Sequence, residues 1–389
     1  MAPRMIYLDY NATSPLRPEA RQRMLHLLEE AFGNASSLHQ KGRQARAVVE
    51  EARARLLAAL GDPRGQIVFT SGGTEADNLA LKGVARANRQ KGDHLIVSSV
   101  EHHAVLHAAQ SLAEEGIRVT LLPVDHRGLV DLQFLQGAIT PKTVLISVMH
   151  ANNEVGAVQP IEAIGRIARE RGVLFHTDGV QSFGKLPLDA REAGADLVSL
   201  SAHKIGGPKG VGALYLRQGL RIAPLIHGGP HEHSLRAGTE NVAGIGGMQA
   251  ALEAALDERR DGAAGRVEGL RNRLEEGLKE RVPDLLVNGQ GVPRLPGTLN
   301  ASFRGCHGET LLMAFDLAGI AVSTGSACSS GSTEQSHVLA AMGLEASSIE
   351  GSIRFSLGWG TTGEEIGECL ERIPPIVERV RRAAVSREG

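Results

Sequence analysis

The sequence predicts an α/β domain with a mostly parallel sheet, followed by a smaller α+β domain. Two observations carry this. Up to Asn241, short apolar runs rich in β-branched residues alternate with helical stretches, the pattern of a parallel sheet with helices on both faces. Beyond Asn241 the pattern changes to a long Ala/Glu/Arg/Leu-rich helical region running to about Val282, then to short strands mixed with helices.

The elements follow in order. Strands are expected at 66–70, 95–99, 118–122, 144–149, 173–177, 197–201 and 211–216, seven in all. Helices between them are expected at 75–88, 104–115 and 161–171. The runs are continuously apolar rather than alternating, as a strand covered on both faces requires. In the second part, strands are expected at 298–303 and 352–357, with helices at 309–317 and 364–380. A ligand site in such a fold belongs at the C-terminal ends of the large-sheet strands.

Composition narrows the function. The net charge of −2 gives no electrostatic case for direct nucleic-acid or membrane binding. No apolar run approaches the ~20 residues of a membrane span. The start, MAPRMIYLDYNATSP, lacks the apolar core and small-residue cleavage site of a secretory signal, so a cytoplasmic location is expected. Three cysteines, Cys306, Cys328 and Cys369, show no metal-ligand spacing and leave room for a reactive thiol.

Three motifs carry chemistry. Ser71-Gly72-Gly73-Thr74-Glu75 follows a strand and opens a helix, where free backbone N–H groups and the helix dipole make an anion site. Alone it is equally an ordinary strand-to-helix turn, and no lysine stands in the Walker position. Asp178, in Phe175-His176-Thr177-Asp178-Gly179-Val180-Gln181, ends an apolar strand, where a carboxylate needs a partner. A protonated cofactor ring nitrogen is one, and the next turn's N–H groups are another. Lys204, in Ser201-Ala202-His203-Lys204-Ile205-Gly206-Gly207, also follows a strand. There it could form a Schiff base or stand as a surface lysine. Together, a phosphate loop, a strand-end Asp and a Ser-x-His-Lys are the parts a pyridoxal-phosphate (PLP) site needs.

At this point the sequence resembles the aminotransferase class V family of fold-type I PLP enzymes, and within it the NifS/IscS-type cysteine desulfurases. The resemblance runs almost end to end, through Tyr7-Leu8-Asp9-Tyr10-Asn11-Ala12-Thr13, Glu101-His102-His103, His150-Ala151-Asn152-Asn153-Glu154-Val155-Gly156, Arg236-Ala237-Gly238-Thr239, Gly325-Ser326-Ala327-Cys328 and Ser352-Ile353-Arg354-Phe355. It implies a large PLP-binding domain at 14–255 with a mostly parallel seven-stranded sheet. The small α+β domain would comprise 1–13 and 256–389 and carry the catalytic Cys loop.

The resemblance also implies roles. Lys204 would carry PLP covalently and move the Cα proton. Asp178 would pair with the pyridinium nitrogen and Gln181 with the ring hydroxyl. His102 would stack on the ring and take part in proton transfer. Gly73, Thr74, Ser201 and His203 would hold the phosphate, with Thr239 reaching in from the neighbouring subunit of a homodimer. Asn153, near the cofactor, and Arg354 would bind the substrate carboxylate, for which arginine's planar fork is suited. L-Cysteine would be the substrate and alanine a product. Sulfur would pass to Cys328 as a persulfide and on to an iron–sulfur scaffold or a tRNA-thiolation protein. The alternative on the same scaffold is a selenocysteine lyase.

Cys328 is the discriminating residue. Its flanks, Ser323-Thr324-Gly325-Ser326-Ala327 and Ser329-Ser330-Gly331-Ser332, are small and polar, so the segment has little to pack and suits a carrier that travels. Cys369 sits on a helical pattern beside Leu370 and reads as core, and Cys306 lies in a loop with no assigned role. The chain departs from the family in His227-Gly228-Gly229-Pro230-His231-Glu232-His233, with Pro230 where a third Gly is usual and His233 where Arg is frequent. Three nearby histidines would suit a metal, but the flanking match points to a loop near the cofactor and no metal is expected.

Overall fold

The computed structural model describes residues 5–324 and 335–388. Its strands, in chain order, are β1 (Ile6–Tyr7), β2 (Gln66–Thr70), β3 (His94–Ser98), β4 (Arg118–Leu122), β5 (Thr143–Ser147), β6 (Leu174–Asp178), β7 (Leu197–Ser201), β8 (Gly212–Leu216), β9 (Leu285–Asn288), β10 (Thr298–Phe303), β11 (Ile320–Ala321) and β12 (Ser352–Ser356).

Seven strands form one sheet in the order β2-β8-β7-β6-β5-β3-β4. All its pairings are parallel except those of β8, which runs against both β2 and β7. The expected seven-stranded, mostly parallel sheet is therefore present. Helices cover both faces. Ile67, Ile96, Ile146, Phe175 and Val198 pack toward Leu56, Ile164 and Met248 on one side. Val68, Val97, Leu145 and Leu214 pack toward Leu79, Val84, Val105 and Leu112 on the other. This double burial explains why the central strands read as unbroken apolar runs. The edge strand β4 is the exception, with Arg118 and Leu121 exposed.

The second layer system holds the antiparallel sheet β12-β10-β9 and the β1-β11 pair. Its core joins Ile6 and Leu8 to Leu274, Leu278, Phe303, Phe315, Phe355 and Ile373. Residues near the N-terminus thus pack in the C-terminal part, and Asp9 bridges to Ser356 of β12. The long helical region after Asn241 is two helices, Val242–Arg260 and Ala263–Arg281. Gly262 between them adopts φ 82°, a left-handed conformation that glycine takes without a Cβ penalty.

Candidate active site

Strands β2, β3, β5, β6 and β7 all run the same way, so the segments leaving their C-terminal ends gather on one edge. Four of the predicted groups leave there. Residues 71–74 follow β2, His102 follows β3, Asp178 ends β6, and Ser201, His203 and Lys204 follow or end β7.

The register brings two of them together. Thr70 and Ser201 both pair with Gly212 of β8. A Cβ on Gly212 would fall 2.5 Å from the Gly72 carbonyl carbon, so only glycine lets the 71–74 loop sit this close. Gly73 then opens the helix Gly73–Ala87, whose buried face includes Ala76, Leu79, Ala80 and Val84. The helix's first N–H groups point out of the sheet end. A Cβ on Gly72 would meet nothing within 4 Å, which leaves room for an anion at the loop.

Asp178 is buried, and its Oδ1 accepts the Val180 N–H at 2.8 Å. Burial pushes its carboxyl up, and the Val180 N–H and the charge of Lys204 pull it back. Two more buried carboxyls lie behind it. Burial and the charge of Asp178 raise both Asp77 and Glu101, Glu101 to about 8. His176 is buried alongside, its ring nitrogens 2.8 Å from Ser147 Oγ and 2.9 Å from Ser199 Oγ.

Lys204 ends a short 3-10 turn after β7. Its Nζ donates to the carbonyl oxygens of Asn11 at 2.6 Å and Ala12 at 2.8 Å. His102 caps the helix His103–Glu114, its Nδ1 accepting from Ala104 N at 3.1 Å. Burial, then the charge of Lys204, lowers its pKa to about 4, so the ring is neutral at pH 7. The same two causes lower His203 to about 4. His203 Nδ1 lies 3.1 Å from Thr13 Oγ1. Ser201 Oγ is buried without a hydrogen-bond partner among the described residues.

Arg354 reaches the site from β12, fully buried. Its Nη2 pairs with Asp9 Oδ1 at 2.9 Å, and its Nη1 donates to the Asn153 carbonyl at 3.1 Å. Arg354 Nε and Asn153 Oδ1 are buried without partners among the described residues. Gln181 Nε2 donates to Asn11 O at 2.9 Å.

Asn11 is therefore the crossing point. Its carbonyl accepts from both Lys204 and Gln181, while its Nδ2 donates to Asn153 O at 3.1 Å and Thr298 Oγ1 at 2.9 Å. Sequence reasoning gave Asn11 and Asp9 no role, although both stand in a quoted motif. It also passed over Asp77, a carboxylate on the apolar face of an alanine-rich helix, which is a signal in itself.

Thr239 stands apart. It is exposed on the segment before the helix Val242–Arg260 and makes no hydrogen bond to the other candidates among the described residues. Cys328 lies outside the described residues. The chain on either side of its segment is anchored at the site. Ser323 exchanges backbone hydrogen bonds with Arg354, Ser336 Oγ donates to Glu154 Oε2 at 2.5 Å, and His337 Nε2 lies 2.9 Å from Glu101 O. Cys306 and Cys369 are both buried. Burial raises both thiols, Cys369 to about 12, which disfavours the thiolate in each. A cavity of about 950 Å³ opens at the opposite end of the sheet, lined by Arg64, Arg169 and Arg191 among others, and none of the predicted site residues lines it.

Residues 6–368 match the model of the family "Aminotransferase class-V". The chain belongs to the aminotransferase class-V family. It is similar to proteins named cysteine desulfurase IscS from Dictyoglomus turgidum, 49% identical over 97% of this chain and 96% of the relative, and from Methanosarcina thermophila, 47% identical over 97% and 93%. Among solved structures, a NifS-like protein superposes with TM-score 0.89 at 38% identity, covering 96% of this chain and 100% of the other. The apo structure of a cysteine desulfurase from Thermococcus onnurineus does so with TM-score 0.85 at 26%, covering 96% and 95%.

Class-V membership implies PLP. The residues present fit it. Ser201 Oγ, a buried hydroxyl in need of a partner, stands beside the glycine loop, where a Cβ on Gly73 would come 3.7 Å from the Ser201 Cβ. Asp178 offers a buried carboxylate for a cationic nitrogen, and Lys204 an amine at the same strand ends.

Proposed function

We propose that this site takes sulfur from L-cysteine, releases alanine and carries the sulfur on Cys328 as a persulfide. The protein is a cysteine desulfurase, and the observation that carries the reading is the gathering of Lys204, Gln181 and Arg354 around the linked pair Asn11 and Asn153.

When bound, PLP supplies the electron sink that acidifies the cysteine Cα–H and weakens the Cβ–S bond. The protein's own groups do the rest. The 71–74 loop, Ser201 and His203 would hold the phosphate, Asp178 the ring nitrogen's proton, and Gln181 the ring hydroxyl. The neutral His102 ring would stack on the cofactor without adding charge and can accept a proton. Arg354 and Asn153 would hold the substrate carboxylate, and the Lys204 amine would remove the Cα proton. The Cys328 thiolate attacks the substrate sulfur. An S–S bond forms, the Cβ–S bond breaks with its electron pair left on carbon, and a proton completes alanine.

Cys328 is four residues beyond Thr324, and such a span reaches at most about 14 Å. With Ser323 held against Arg354, that reach starts at the substrate carboxylate's partner. Residues 14–255 would form the PLP-binding domain, with 1–13 and 256–389 the small domain. A homodimer is favoured by an apolar surface. Leu25, Leu28, Phe32 and Leu38 are 56%, 61%, 70% and 86% exposed on and after the helix Pro18–Glu30. Thr239 would then serve the neighbouring subunit's phosphate. The acceptor is a thiol-bearing protein of iron–sulfur assembly or tRNA thiolation, and a cytoplasmic location follows from such partners. The test is to supply L-cysteine with and without reductant and assay sulfide and alanine. Alanine in step with sulfide supports the reading, and pyruvate in place of alanine would overturn it.

A further inference from the structure

The segment that carries Thr239 is fastened to its own subunit at two places, one on the phosphate loop and one on strand β2 just before it. Arg236 donates from Nε to Glu75 Oε1 at 2.9 Å and from Nη2 to Glu75 Oε2 at 3.3 Å. The same Glu75 Oε2 accepts the Ser71 N–H at 2.8 Å. One carboxylate thus holds both the first residue of the phosphate loop and an arginine three positions before Thr239. Its side chain is 15% exposed and that of Arg236 is 24% exposed, so this is a largely shielded pair.

The second fastening lies upstream. Glu232 is buried and forked to Arg53 at 3.0 and 3.1 Å. Its Oε2 also accepts the Phe69 N–H of β2 at 2.8 Å. Glu232, His233 and Ser234 take φ of 44°, 57° and 64°, three consecutive non-glycine residues in the left-handed region. Such a run persists only where its surroundings hold it, and the Arg53 fork and the Phe69 N–H anchor its first residue. The departures from the family at Pro230 and His233 fall in this fastened turn.

We propose that Glu75 and Arg236 are positioning residues for the cofactor's phosphate, tying the loop that binds it in one subunit to the segment that presents Thr239 to the other. The proposal rests on the PLP dimer described above. Neither residue need touch the phosphate. Glu75 fixes the Ser71 N–H, and Arg236 fixes the approach to Thr239. An anion seated on one subunit's loop therefore steadies the segment that reaches its neighbour.

The test is a double-mutant cycle read as PLP affinity, with apo protein titrated by cofactor absorbance. Arg236→Met and Thr239→Ala should each weaken PLP binding roughly tenfold, the size of one hydrogen bond to a charged group. The double variant should be no weaker than the weaker single, because both changes break one connection. Arg236→Lys, which keeps the charge, should recover part of the loss. If Arg236→Met does not fold, Glu75→Gln serves in its place, since it keeps an acceptor for Ser71 N and removes the charge. Losses that multiply in the double variant would overturn the proposal. So would an unchanged affinity in Arg236→Met and Glu75→Gln, or in Thr239→Ala. Wild-type protein that takes up no PLP would instead remove the cofactor reading beneath it.

Discussion

The Nζ of Lys204 lies 2.6 Å from the carbonyl oxygen of Asn11, 193 residues earlier in the chain. Asn11 in turn donates to Asn153 O, which also accepts from Arg354. The amine that would move the proton and the guanidinium that would hold the substrate are thus joined through one residue near the N-terminus. Lys204→Ala should give protein that folds but loses its yellow colour on dialysis. The check is the visible spectrum beside a thermal melt. Retention of a covalent chromophore would mean that another lysine carries the cofactor.

Arg354→Lys should raise the KM for cysteine roughly tenfold or more, with a smaller fall in kcat, because a lysine cannot reproduce the planar fork. Arg354→Met should also destabilise the protein by roughly 3 kcal/mol, since Asp9 and the Asn153 carbonyl lose their buried partner. Steady-state kinetics and denaturant unfolding check the two effects separately. An unchanged KM in Arg354→Lys would place the substrate carboxylate elsewhere.

Glu101 gives a pH test with a definite sign. Burial raises its folded pKa to about 8 from 4.5. Its contribution to stability is therefore complete below about 4.5, declines as pH rises, and is gone above about 8. Glu101→Gln mimics the protonated acid and keeps an acceptor for Met149 N and Ser98 Oγ. Its melting temperature relative to wild type should climb from pH 5 to pH 8 and level off beyond, a gain on the order of 2–4 kcal/mol. A difference that does not change with pH would show that Glu101 is charged throughout.

The seven strands of the large sheet were legible because burial on both faces writes continuous apolar runs, and the predicted bounds of β2, β4 and β7 coincide with those found. The helices Pro18–Glu30 and Gln40–Ala59 were not named. The first leaves Leu25 and Leu28 exposed, and the second is interrupted by arginines, one of which, Arg53, is buried against Glu232. Among the site residues, those in strand-end motifs could be found because each sits where a chain leaves the sheet. Asn11 could not be assigned from sequence, because its work is done partly by a backbone carbonyl, which leaves no side-chain signature. The Glu75–Arg236 pair spans 161 positions, and nothing in a single sequence links them.

Sedimentation of the PLP-loaded protein should give a dimer near twice 41.2 kDa. Replacing Leu28 and Phe32 with charged residues should shift it toward monomer, if their exposed face is the one a second copy covers. A monomer that is fully loaded and active would contradict both the interface and the role of Thr239.

Cys328 should receive the sulfur. The most direct measurement is a single turnover with limiting L-cysteine, followed by peptide mass mapping under non-reducing conditions and by alanine quantitation. One added sulfur atom is expected on the peptide containing Cys328, none on Cys306 or Cys369, and one alanine per sulfur. Cys328→Ser should bind PLP and cysteine but give neither sulfur transfer nor alanine. Sulfide released at the wild-type rate by Cys328→Ser, with alanine in step, would contradict it.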